Sequence, residues 1–259
     1  MNRVVRLALL FSTLLIAVRA QLTNLAVYAG GENDTTPVNG NIVSSALDTS
    51  GNNYHLVSHG VLWSNNASPG SAAFDRGLPS TFSYYFNGVS SLDMNTTVTS
   101  ATTNWGMETW VNLDSVSGTQ IFVLNGQGGD GYGLLLTGGN WSGLLGGVLF
   151  LTGSAAVANT WTHLALVNEA GTSTLYVNGV VADSTSSGAS TPTSQFSIGT
   201  DPADNYMYGY LDQVRVFTFA GSFNTASLNL SSVPEPSTYA AVLGFGALGL
   251  AAWRRRRNA

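Results

Sequence analysis

The chain has 259 residues, enough for one large domain or two small ones, and only 9% of them are charged, against about 25% in ordinary cytosolic domains. Nine arginines and no lysine face fourteen acids; between Gln21 and Val233 only Arg76 and Arg215 oppose thirteen carboxylates, a balance of −11 that repels phosphate backbones and excludes nucleic acid as a partner. With no cysteine, disulfides, thiolate catalysis and cysteine-held metal centres are excluded as well. In chain order, Met1 to Ala20 reads as a secretory signal peptide. It has a basic start at Arg3 and Arg6, an apolar run from Leu7 to Val18, and Val18-Arg19-Ala20 ahead of a cut that leaves Gln21 first. Signal peptidase is therefore an expected partner.

From Gln21 to about Ala220, short apolar runs alternate with Gly, Asn, Ser and Thr clusters, and no stretch sustains a 3.6-residue period. Trp105 to Leu113 reads as a strand. Gln120 to Leu124 and Tyr132 to Thr137 bracket a glycine-rich connection, and Gly146 to Thr152 follows as another strand. Trp161 to Asn168 and Thr174 to Val177 form a hairpin around Glu169 to Ser173. Asn178-Gly179 then stands between Leu175-Tyr-Val and Val180-Val-Ala, the strongest short hairpin signal in the chain. Gln195 to Gly199 and Tyr208 to Phe219 supply the last strands. The pattern predicts an all-β, two-sheet antiparallel sandwich or jelly roll over 21–220, with Trp110, Trp161, Val177, Ile198 and Val214 in its core. Residues 221–232 read as a mobile polar linker, and helix is expected only at the two ends.

The last segment, 233–259, joins Pro234-Glu235-Pro236, an uncharged run from Tyr239 to Trp253, and Arg254, Arg255, Arg256 and Arg257. Its apolar run works as a transmembrane helix that the arginines hold on the cytoplasmic side. These parts, in this order, resemble the PEP-CTERM sorting signal of Gram-negative bacteria. The resemblance implies an exosortase-type protease that cuts near the Pro-Glu-Pro, transient anchoring in the membrane, and an outer-surface or extracellular destination.

The body is similar to the laminin-G-like (concanavalin A-like) jelly roll. The likeness rests on Asp48-Thr-Ser-Gly-Asn-Asn-Tyr54, Phe86-Asn-Gly88 followed by Ser91-Leu-Asp-Met94, and Met107-Glu-Thr-Trp110-Val. It continues through Asn159-Thr-Trp161-Thr-His163, Tyr176-Val-Asn-Gly179, Phe196-Ser-Ile-Gly199 and Gly209-Tyr-Leu-Asp212-Gln-Val-Arg-Val-Phe217. Seven pieces fall in order over nearly 200 residues.

Residues with chemistry are few. A glycoside hydrolase needs two carboxylates flanking one bond, and no Glu-x-Asp-x-x-Glu cluster occurs, so the protein is not expected to be an enzyme. Glu108 reads as the outer face of a strand and His163 as a packed, hydrogen-bonded histidine. Asp212 shares parity with Val214 and Val216 and is expected to point their way. It is either a clamp that accepts backbone N–H bonds or a ligand of calcium, which relatives of this fold hold at the sandwich rim. Asp48, Asp130, Asp201 and Asp204, in Gly- or Asn-rich loops, are the other calcium candidates. Tyr132, Trp141, Tyr206 and Tyr208 read as exposed-loop aromatics that would stack on sugar rings, with the alternative that half or more of them belong to the core. Three function classes follow: a glycan- or exopolysaccharide-binding module, a structural or adhesive surface protein, and, least supported, a hydrolase.

Overall fold

The computed structural model describes residues 21–30, 37–70, 80–127, 129–146 and 149–230. The signal helix expected over 1–20 and the sorting segment 233–259 lie outside the described residues. The strands in chain order are β1 (Gln21–Tyr28), β2 (Ser45–Ala46), β3 (Leu56–His59), β4 (Leu62–Ser64), β5 (Ser83–Asn87), β6 (Ser91–Met94), β7 (Trp105–Leu113) and β8 (Gln120–Asn125). They continue with β9 (Tyr132–Thr137), β10 (Asn140–Leu145), β11 (Leu149–Ala155), β12 (Thr162–Glu169), β13 (Thr172–Val177), β14 (Val180–Thr185), β15 (Phe196–Ile198) and β16 (Tyr208–Ala220). The first sheet runs β14-β13-β12-β7-β16-β5-β4, with β1 also on β16; the second runs β11-β10-β9-β8-β15-β6-β3-β2. Every pairing is antiparallel, so the fold is the two-sheet, all-β jelly roll that the strand pattern predicts. Among the described residues no helix is long and apolar enough to cross a membrane.

Alternation places the core. Trp105, Met107, Val111 and Leu113 of β7 face the second sheet, while Gly106, Glu108, Trp110 and Asn112 take the opposite face. The Asn178-Gly179 hairpin forms between β13 and β14, with φ of 51° and 76° at the two turn residues. Ile198 and Val214 lie in the core and Val177 packs half-buried against it; Trp110 is buried as expected, but on the outer face of the first sheet beneath the strap, where Trp161 is half-buried. Tyr132 and Trp141, expected on exposed loops, are core residues. Tyr132 stacks on Trp105 with ring centroids 3.5 Å apart, and Trp141 packs against Phe122 at 5.8 Å. Both rings begin or occupy strands whose parity turns them inward, which overrides the glycine-rich loops beside them.

The segment expected as a mobile linker is packed as far as Leu230. Residues 221–230 fold back along the outer face of the first sheet as a strap containing a 3-10 turn at Thr225–Ser227, capped by the Asn224 side chain. Phe223 stacks with Phe217 (6.2 Å, 17°) and approaches Phe219 (5.4 Å) and Tyr176 (6.0 Å). Leu228 is buried with Ala165, Val167, Phe217 and Phe219. Leu230 closes over Gly179, where an added Cβ would come within 2.4 Å of Leu230 Cδ1. This stretch carries too little apolar surface to order by itself; it orders by covering a sheet that is already there.

Candidate functional site

Four of the aspartates assigned to calcium are hydrogen-bond hubs at separate places. Asp48 accepts from the N–H groups of Val27 (2.9 Å), Ser50 (2.9 Å) and Tyr54 (3.0 Å) and from the Ser50 hydroxyl (2.9 Å), tying its turn to β1. Asp130 accepts from the Gln127 and Thr193 N–H groups, both at 3.1 Å, and from the Thr193 hydroxyl. Asp201 takes the Ala203 and Asn205 N–H groups and the Asn205 side-chain amide. Asp212 accepts from Ser68 N–H (3.0 Å), the Ser80 hydroxyl (2.6 Å) and Gln213 N–H (2.8 Å). This is the clamp geometry, holding together segments 144 residues apart in sequence. Among the described residues no group of three or more His, Asp or Glu side chains is placed to hold a metal ion.

Parity misdirects Asp212 for a local reason. The pairing of β16 with β7 shifts between Asp212 and Arg215, and Gln213 takes φ 53° at that bulge. Asp212 therefore opposes Trp110 on the outer face, not Val214 in the core.

Next along that face lies a buried polar network that the sequence reading dispersed. Glu108 has no exposed surface; it pairs with Arg215, and its Oε2 lies 2.9 Å from His163 Nε2 and accepts the Asn229 N–H at 2.9 Å. Arg215 also donates to Ser227 O (2.7 Å), and Trp110 Nε1 to Asn229 O (2.9 Å). Burial raises the Glu108 pKa, but the Arg215 charge, the His163 contact and the Asn229 N–H outweigh it and hold the carboxyl below its ordinary range. Glu108 does face outward, as alternation predicts, yet the strap covers it. Glu108 and His163 have no exposed surface and Arg215 is 4% exposed, so the strap holds the network away from solvent.

Two solvent-facing features take in the remaining tyrosine candidates. A pocket of about 390 Å³ brings Asp201 and Tyr206 together with His59, Asp93, Asp204 and Gln195, and His59 Nε2 lies 3.1 Å from Asp93. Across the β5–β6 turn, the outer face of the first sheet carries a row of aromatics. Tyr85 lies 4.9 Å from Tyr210 and 6.4 Å from Tyr208, and Tyr210 lies 6.5 Å from Trp161, centroid to centroid. Tyr208 is 41% exposed and the other three rings are half-buried. Trp161 donates its indole N–H to Asn66 Oδ1 (3.2 Å). Asn112, in register with Tyr210, holds a side-chain oxygen with no hydrogen-bond partner. Desolvation raises the Tyr85 and Tyr210 pKa values; the Tyr208 contact adds to this at Tyr85, and the Asp114 charge acts on both. These phenols stay neutral donors at any physiological pH.

Of the predicted ligand residues, only Tyr208 joins this row and only Tyr206 the pocket. Tyr85, Tyr210 and Trp161 were missed. The Tyr208-x-Tyr210 spacing and the place of Tyr85 beside the inward Phe86 were the available signals, since alternation puts all three on one face.

A family model for the concanavalin A-like lectin/glucanases superfamily matches residues 86–223, more than half the chain. The chain belongs to this superfamily. A second model, the PEP-CTERM protein-sorting motif, matches residues 232–257. The laminin-G-like jelly roll and the sorting signal inferred from sequence are therefore both shown, and the motif implies processing by an exosortase, export and anchoring through the C-terminal region. No curated protein matches the sequence. Among solved structures, the concanavalin A-like fold is shared with domain 4 of AbnA, a GH43 extracellular arabinanase from Geobacillus stearothermophilus, in complex with arabinotriose. The TM-score is 0.55 at 19% identity, over 80% of this chain and 96% of that one. The botulinum neurotoxin serotype D binding domain matches with a TM-score of 0.51 at 13% identity, over 80% of this chain and 51% of that one. A Trypanosoma rangeli sialidase in complex with the inhibitor DANA matches at 0.50 and 17%, over 78% and 31%.

Proposed function

We propose that this exported concanavalin A-like domain holds a polysaccharide at the cell surface or in the extracellular matrix of a Gram-negative bacterium, without cleaving it. The observation that carries the reading is the solvent-facing row of Tyr208, Tyr85, Tyr210 and Trp161, set on rigid strands. Neutral phenols and an indole offer flat faces for sugar rings and hydroxyls for their edges. Hydrolysis would need two carboxylates across the bond, and among the described residues Asp114 is the carboxylate whose charge acts on Tyr85 and Tyr210. The arabinanase domain solved with arabinotriose offers a parallel for a sugar-holding domain of this shape. Affinity electrophoresis of the full chain through gels containing polysaccharides tests the reading. Retardation is expected, with individual affinities of about millimolar to micromolar, roughly 4–8 kcal/mol, and no release of reducing ends. Tyr85→Ala and Tyr210→Ala should each weaken retardation about five- to tenfold, on the order of 1–1.4 kcal/mol. Unretarded migration in every gel would leave a purely structural surface protein as the better account.

A further inference from the structure

The charge and hydrogen-bonding character of the aromatic row select among polysaccharides. Tyr85 on β5, Tyr210 on β16 and Trp161, the residue just before β12, lie along one face, with β7 between β16 and β12. The ring-to-ring steps of 4.9 Å and 6.5 Å give this run at most about 11 Å from end to end, room for about two sugar rings. No described residue brings a free positive charge to it. Arg215 is buried in its pair with Glu108, and Asp114 is the charge that acts on the phenols. The surrounding body carries thirteen acids against two bases. The Asp114 carboxylate, whose charge acts on the row, can only accept. A sugar hydroxyl donates to such a group, whereas a uronate or sulfate can only accept and is repelled as well.

We propose that the row takes a neutral, hydroxyl-rich polysaccharide and rejects uronate-containing and sulfated chains. The inference rests on the glycan-binding reading above and adds the ligand class. The experiment runs the full chain, in detergent, through gels containing a neutral glucan, a neutral arabinan or polygalacturonate, with EDTA present. At least one neutral polymer should bind tenfold or more tightly than polygalacturonate at low salt, and Tyr85→Ala should abolish most of that retardation. Asp114→Lys should narrow the gap by admitting the polyuronate. Polygalacturonate binding as tight as the best neutral polymer, and lost in Tyr85→Ala, overturns the ligand class while leaving glycan binding intact. Neutral-polymer binding untouched by Tyr85→Ala overturns the site, and no retardation by any polymer overturns the function reading itself.

Discussion

Glu108 is a carboxylate without exposed surface whose oxygens meet an arginine, a histidine and a backbone N–H. Its folded pKa lies below the ordinary value, so its stabilisation is complete above the unfolded pKa, near 4.3, and is lost as pH falls through the folded value. Acid melts should therefore show a steep fall in Tm below about pH 4.5. Glu108→Gln should flatten that slope and cost about 3–5 kcal/mol at neutral pH, because Arg215 is left buried without its counter-charge. Asp48→Ala, which orphans the Val27, Ser50 and Tyr54 N–H groups, should cost about 1–3 kcal/mol in denaturant unfolding. Calcium and chelator should leave the Tm of the wild-type chain unchanged, since the Asp48, Asp130, Asp201 and Asp212 carboxylates are already engaged by N–H and O–H donors; a calcium-dependent rise would count against this reading. At this scale the sequence was legible in part. The short range of the Asp48 turn made it readable, and His163 is hydrogen-bonded as expected. The true direction of Asp212 depends on a bulge that no residue type announces.

Among the elements, β7, the hairpin at Asn178-Gly179 and the long β16 were readable because alternation and turn chemistry are local. The strand β1 was not, since its partner is the far half of β16. The strap was misread for a related reason: Phe223, Leu228 and Leu230 are too sparse to form a core, yet they match an apolar patch built from β12, β13 and β16. Phe223→Ala should then destabilise by about 1.5–3 kcal/mol, roughly half the cost at a fully buried site, since Phe223 is half-buried. Limited proteolysis of the wild-type chain should spare residues 223–230, whereas Phe223→Ala should open them to cleavage. The aromatic row was hidden because it is assembled from three strands far apart in sequence; only the Tyr208 and Tyr210 pair is adjacent in the chain.

For the whole molecule, the sheet order, the acidic body and the sorting motif act together. Intact-mass analysis of native material should find a mature chain that starts near Gln21 and ends close to Pro234-Glu235-Pro236; a chain retaining Arg254 to Arg257 would count against cleavage. The strap sharpens that expectation, because trimming back past Ser227 would take the backbone partners of Arg215 and Glu108 with it. It also sets a clock. A chain made from the N-terminus onward has its Glu108 carboxylate in place 121 residues before the Asn229 N–H that completes it. The sandwich can collapse earlier, but its charged centre stays open to water until the final stretch ahead of the sorting motif has emerged. Closing of the fold and arrival of the motif at the membrane thus fall at nearly the same moment in the life of the chain.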